Sequence, residues 1–282
     1  MGGRGMNAIK VTNLGKNFRM INVNFELPEG AVMGLIGENG AGKSTLIKIL
    51  TGMARADCGC VEILGCRSKK GMTEIRQQIG VVPDSPCFPL FCSAVNINKI
   101  MRGIYREWDE DKFFKYIDSF CIDKRKVFEK YSKGMAAKLA IAVALSHNAR
   151  LLIMDEATSG LDPVIRDEVL DIINDFTRDE RNSVLMSSHI LSDIEKSCDY
   201  IALMSEGTIV LCDDKESIAD KYVTIYFPKN ENIYIDPSVI IGKKPDAYGM
   251  NILIDKKDVP PDMKFEKASL EDIMIYMKHR KG

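Results

Sequence analysis

One short stretch constrains this chain more than any other. Gly37-Glu-Asn-Gly40-Ala-Gly42-Lys43-Ser44-Thr45 fits the pattern G-x4-G-K-[ST]. A continuous apolar run at 31–36 precedes it, as expected of a strand covered on both faces. Residues 44–50 follow as a helix, with Leu46, Ile47, Ile49 and Leu50 on its apolar face. Strand, glycine-rich loop and helix together form the context in which such a loop cradles phosphate. Gly37, Gly40 and Gly42 let the backbone curl so that N–H groups point inward. The helix N-terminus adds about half a positive charge. Lys43 can reach β- and γ-phosphates as a point charge, and Ser44 can place its hydroxyl on Mg²⁺.

The rest of the pattern fits an α/β chain. Further strands are expected at 23–27, 61–64, 79–82, 151–154, 184–187, 201–204 and 208–211. The last two are joined by Ser205-Glu-Gly207, a hairpin signal. From about 86 to 150 the character changes to helical patterns at 94–106, 109–121 and 132–147, which reads as an inserted helical segment. A second shift follows Cys212. Short β-like pieces at 222–227, 232–235 and 251–254 lead to an amphipathic helix at 269–279, with Leu270, Ile273, Met274 and Met277 on one face. Two domains are expected, 6–212 and 213–282.

Two more segments carry chemistry. Residues 151–156 are an apolar strand ending in Asp155 and Glu156. Open α/β sheets place ligands at the carboxyl ends of their strands. Asp155 is suited to hold Mg²⁺, through water, and Glu156 to polarise an attacking water; the plainer alternative is a pair of solvated acids at a strand end. His189 follows the strand at 184–187, where it could reach a γ-phosphate, although a lone histidine is more often structural. His147 and His279 have no such context.

Composition excludes other classes. Hydrophobic residues are 45% and charged residues 28% of 282, ordinary for a globular chain that needs no metal or disulfide to hold its core. Lys and Arg number 39 against 40 Asp and Glu, a balance that argues against coating nucleic acid. The longest apolar stretches fall far short of the roughly 18 residues of a membrane span, and no signal peptide is expected at the N-terminus. The eight cysteines read as reduced cytosolic thiols. Cys58, Cys60 and Cys66 are close in sequence, but a metal site would need a fourth ligand and better spacing.

The order of these pieces resembles the nucleotide-binding subunit of an ATP-binding cassette (ABC) transporter, over about 9–211. The loop at 37–45 is similar to the Walker A motif, 151–156 to Walker B, and Tyr131-Ser132-Lys133-Gly134-Met135 to the signature usually written LSGGQ. Ser159-Gly-Leu-Asp162-Pro163 resembles the D-loop and His189 the switch histidine. Lys267-Ala-Ser-Leu-Glu-Asp-Ile273 resembles the closing segment of cassette subunits from bacterial exporters. The sequence departs from the pattern at Lys133 and Met135, where Gly and Gln are usual, at Asp84 in place of Gln, and at Phe18 in place of Tyr.

The resemblance implies a P-loop NTPase (RecA-like) core with an antiparallel β subdomain, an inserted α-helical subdomain and a small C-terminal α+β extension. It implies ATP and Mg²⁺ as cofactors. Phe18 would stack on adenine; Gly37, Asn39, Gly40, Gly42, Lys43, Ser44 and Thr45 would hold the phosphates; Ser132, Gly134 and Asp162 would meet ATP across a dimer. Ser44, Asp155 and Asp84 would serve the metal, and Lys43, Glu156 and His189 the hydrolysis. Implied partners are a separate transmembrane permease and a second, identical or paralogous, cassette that sandwiches two ATP; no nucleic acid is implied. The subunit would sit in the cytoplasm on the inner membrane face through that permease, energising an exporter. Rival readings are a translation or repair ATPase, an ATP sensor without turnover, and a P-loop kinase. The single phosphate loop and lack of long heptads disfavour the first. Glu156 and His189 disfavour the second, and the motifs at 131–135 and 159–163 the third.

Overall fold

Two strands form the first layer, β1 (Asn7–Lys16) and β2 (Met20–Pro28). Alternation in β2 turns Val23, Phe25 and Leu27 inward, and Met20 is also buried, across a break in the pattern at Asn22, whose φ is 51°. In this computed structural model, residues 6–17, 20–67, 71–229 and 235–278 are described. Next come β3 (Val32–Ile36), α1 (Lys43–Leu50) and β4 (Cys58–Ile63). β1, β2 and β4 make an antiparallel sheet in the order β2-β1-β4. Its inner face shares a core with Leu35, Leu46, Leu50 and Ile153. β4 starts three residues before the expected 61–64 strand and stops one short of it. Leu64 and Gly65 both take positive φ, 47° and 76°, which turns the chain back.

α2 (Met72–Arg76) and β5 (Ile79–Val82) lead into the helical segment: α3 (Ala94–Ile104), α4 (Glu110–Ser119) and α5 (Lys133–Leu145). The segment has its own core, with Ile97, Phe113, Ile117, Leu139 and Ala142 buried together. α5 is apolar on nearly every face, so it is a buried helix rather than an amphipathic surface one. His147, just beyond it, is buried and stacks on Tyr105 at 3.8 Å. Its Nδ1 and Nε2 lie 3.1 and 3.2 Å from the carbonyl oxygens of Val143 and Ile79. Burial lowers its pKa, outweighing the pull of those two carbonyls.

The chain continues through β6 (Leu151–Asp155), α6 (Pro163–Phe176), β7 (Ser183–Ser188), α7 (Leu191–Ser197), β8 (Tyr200–Ser205) and β9 (Thr208–Asp214). The central sheet has the order β5-β6-β7-β3-β8-β9, and β5, β6, β7, β3 and β8 run parallel. β3, β6 and β7 are buried along their whole length, as a sheet covered on both faces requires. Glu206 and Gly207 both take positive φ, 46° and 81°, at the tight turn between β8 and β9.

The chain divides between Ile209 and Val210 into two compact units. The second contains α8 (Lys215–Lys221), β10 (Tyr222–Pro228), β11 (Ile240–Pro245), β12 (Gly249–Asp255), β13 (Glu266–Lys267) and α9 (Leu270–Lys278). Its antiparallel sheet has the order β11-β12-β10-β13. Of the expected piece at 232–235, only Ile235 is among the described residues, and it is buried with Ile225 and Ile252. Ser269 caps α9: its hydroxyl accepts from the Asp272 N–H at 3.0 Å, and Asp272 accepts from the Ser269 N–H at 3.2 Å. α9 buries Leu270, Ile273, Tyr276 and Met277, while Met274 is half-buried.

Candidate nucleotide site

The sheet order brings three separate segments of chain together. β7 lies between β6 and β3, with Ile36 opposite Ser188 and Asp155 opposite Ser187. The carboxyl ends of the three strands are therefore level. They carry the glycine-rich loop, the two acids and His189.

The loop owes its shape to its glycines. Gly37 has φ 154°, and a Cβ there would meet the Met204 carbonyl oxygen at 2.3 Å. Gly42 has φ 112°, and a Cβ there would meet Met204 Cε at 2.7 Å. Behind the loop, the Gly207 N–H donates to the Ala41 carbonyl at 2.9 Å. Asn39 and Gly40 are exposed at the tip, Ser44 is exposed, and Thr45 is half-buried in the first turn of α1.

Lys43 is 4% exposed, so its ammonium needs partners. It donates to the carbonyls of Gly37 at 2.7 Å and Glu38 at 3.1 Å. It also lies 3.5 Å from Glu156 Oε1. The other oxygen of Glu156 is 3.0 Å from His189 Nδ1, which donates when it carries the proton. Lys43, Glu156 and His189 thus form one chain of contacts. Glu156 has φ 46°, an uncommon conformation for a residue with a side chain. Its backbone N–H donates to Ser187 Oγ at 3.0 Å.

Asp155 lies beside this chain. Its Oδ1 accepts from Ser187 Oγ at 2.7 Å and from Ser44 Oγ at 3.3 Å. A hydroxyl and a carboxylate form a hard, all-oxygen donor set, the chemistry that Mg²⁺ takes. The glycine cradle and the paired oxygens fit a Mg²⁺-triphosphate. Ser187 is the residue that sequence reasoning overlooked: it binds both Asp155 and the Glu156 backbone. Its only sequence signal is a hydroxyl near the end of a strand, two residues before His189.

The other singled-out residues fall elsewhere. Ser132 caps α5, its Oγ accepting from the Met135 N–H at 3.2 Å. Gly134 packs on α6, where a Cβ would lie 2.7 Å from Ile165 Cδ1. Asp162 caps α6, its Oδ1 accepting from the Ile165 N–H at 3.1 Å. These three form a second group around the facing ends of α5 and α6. Asp84 is exposed, and its carboxylate accepts from Ser85 Oγ at 3.4 Å. Phe18 and His279 lie outside the described residues.

The chain is similar to several known proteins. A family model described as ABC transporter matches residues 20–159. The lantibiotic transport ATP-binding protein SrtF of Streptococcus pyogenes is 35% identical over 212 residues, covering 72% of this chain and 89% of SrtF. The bacitracin transport ATP-binding protein BcrA of Bacillus licheniformis is 33% identical over 209 residues, covering 72% and 68% of the two chains. The solved structure of an ATP-binding subunit of an ABC transporter superposes with a TM-score of 0.69 at 26% identity, covering 75% of this chain and 91% of that one. Loop, acids and histidine converge at the carboxyl ends of three neighbouring strands, and on the similarity to these relatives the chain belongs to the ATP-binding proteins of ABC transporters.

Proposed function

We propose that this chain hydrolyses Mg-ATP to power a separate membrane permease, working as a pair of cassettes closed on two ATP molecules. The supporting observation is the division of the site residues into two groups. Lys43, Ser44, Asp155, Glu156 and His189 are linked by contacts of 3.5 Å or less through Ser187 and Glu156. Ser132, Gly134 and Asp162 cluster at the ends of α5 and α6 instead. A second chain, head to tail, would bring its copy of the second group to the γ-phosphate held by the first.

In this mechanism Gly37, Asn39, Gly40, Gly42 and Thr45 line the phosphates and Phe18 stacks on the adenine. Lys43 exchanges a loop carbonyl for phosphate oxygens. Ser44 and Asp155 would hold Mg²⁺, with Asp84 as a further candidate ligand; the ion would supply positive charge to the phosphates. Glu156 takes a proton from the attacking water, and His189 steadies the Glu156 carboxylate and contacts the γ-phosphate. Ser132 and Gly134 contact that phosphate from the other cassette. Loss of phosphate weakens the clamp, and the pair opens.

The permease is a separate polypeptide in this reading: among the described residues no helix is long and apolar enough to cross a membrane. The chain would sit on the inner membrane face through it. The names of SrtF and BcrA refer to transport of a lantibiotic and of bacitracin, which favours an exporter. The test is size exclusion of Glu156→Gln protein with ATP. An ATP-dependent dimer is expected, and a monomer at saturating ATP refutes the paired mechanism.

A further inference from the structure

The N-terminus of α5 holds one residue that this mechanism leaves unused. Lys133 is the first helical residue after the Ser132 cap, and no acid lies in the first turn. A cation at that end opposes the helix dipole, so its own helix does not favour it. Lys133 is exposed and makes no hydrogen bond or ion pair among the described residues. Its ammonium lies over Gly160 instead: a Cβ on Gly160 would be 2.9 Å from Lys133 Nζ. Gly160 has φ 67°, so the loop there both needs glycine and leaves the space that the ammonium uses.

Lys133 therefore stands between Ser132 and Gly134 on one side and the segment leading to Asp162 on the other. The paired mechanism brings all three to the phosphates of ATP on the opposite cassette. An unpaired cation, held against its own helix dipole, is matched when an anion arrives at that face. The geometry points to Lys133 as a second phosphate-binding cation, acting across the dimer on the γ-phosphate where the family pattern carries glycine. This assignment rests on the two-cassette reading above. It complements Lys43, which serves the same phosphate from the chain that holds the nucleotide. A lysine suits the role because its flexible stem lets the ammonium leave Gly160 and follow the phosphate.

The test measures ATP-dependent dimerisation in the Glu156→Gln background by size exclusion with light scattering. Lys133→Gln should raise the ATP concentration for half-dimerisation roughly tenfold or more, the loss expected for a hydrogen bond to a charged group. Lys133→Arg keeps the charge and should stay within about threefold of the parent, since Arg also binds phosphate. Dimerisation of the parent should weaken more steeply with salt than that of Lys133→Gln. Binding of a fluorescent ATP analogue to the single chain should be equal in all three. Thermal melting of Lys133→Gln should not fall, because the substitution relieves the conflict with the helix dipole. Dimerisation of Lys133→Gln at the parent's ATP concentration overturns the assignment, as does equal impairment of the Gln and Arg variants. No ATP-dependent dimer in the parent overturns the paired mechanism as well, whereas the first two outcomes leave that mechanism standing.

Discussion

Replacing Glu156 with Gln tests the proposed chemistry most directly. The substitution preserves shape and removes one negative charge. It also preserves the backbone cost: φ is 46° at this position, and Gln meets the same strain as Glu. Any change in rate is therefore due to the carboxylate. Loss of a general base costs about 10²–10⁴ in turnover. Binding should move the other way. Glu156 Oε1 is 3.5 Å from Lys43 Nζ. Coulomb attraction at that distance is about 5 kcal/mol at an effective dielectric constant near 20. Glu156 is 19% exposed, so desolvation and screening cancel most of this. A net value of about 1 kcal/mol follows, the upper end for partly exposed pairs. Incoming phosphate must compete with that contact for the Lys43 ammonium. In Glu156→Gln the competition is gone, and ATP should bind up to about fivefold more tightly. Steady-state phosphate release gives the rate, and equilibrium binding of a fluorescent ATP analogue gives the affinity. Turnover within tenfold of the parent, in a protein with the same melting temperature, refutes Glu156 as the base.

Lys43→Ala should weaken ATP binding roughly 10- to 100-fold and stop hydrolysis, because a buried ammonium facing phosphate makes charge-assisted hydrogen bonds; unchanged ATPase activity contradicts the site. A chain ending at Asp214, after β9, should still bind ATP, and loss of binding in a product with native circular dichroism would show that the second unit contributes to the site. His147 should make stability depend on pH. Burial lowers its pKa in the folded state relative to an unfolded value near 6.5, so its contribution is complete above pH 6.5 and is lost as pH falls below it. The fall in urea midpoint between pH 7.5 and 5 should be smaller in His147→Asn than in the parent. Asp84→Asn should raise the Mg²⁺ concentration for half-maximal ATPase, and an unchanged titration removes Asp84 from the metal site.

The phosphate loop was legible because independent local signals coincide there: an apolar run, three glycines and a helical face within twenty residues. The acids at 155 and 156 and His189 were legible for a related reason, since each follows a short apolar run, Leu151–Met154 for the acids and Val184–Met186 for His189. Features set by distant partners were not. Ser187 gains its two contacts only because β6 and β7 are neighbours in register. β1 was missed because Asn13 takes positive φ and the register to β2 shifts between Val11 and Leu14, which breaks the period-2 pattern. β11 was missed because its second half, Lys243-Lys244-Pro245, is exposed at a sheet edge and reads as a loop. The extra apolar contact of α9, Tyr276, packs against Gly242 of β11, a pairing that no helical period reveals.

The two groups of site residues differ in what they offer an anion. In the first, the Lys43 ammonium and Ser44 hydroxyl stand beside two carboxylates, Asp155 and Glu156. Such a set suits a phosphate only with a cation present, which is the chemistry proposed for Ser44 and Asp155. The second group offers donors at the start of α5, while its one carboxylate, Asp162, accepts the Ile165 N–H as the cap of α6. Ser132 Oγ accepts the Met135 N–H, which leaves its own O–H free to donate. The N–H groups that open α5 have no partner within the helix, and Lys133 adds an ammonium beside them. On the paired reading, a triphosphate between the two groups would be held by a metal-bearing acidic set on one side and by the donors that open α5 on the other. On the paired reading, removal of the γ-phosphate leaves the donor side with nothing to hold, while the β-phosphate still occupies the glycine loop. Hydrolysis would then open the pair without first releasing the nucleotide, and ADP would leave from a separated chain.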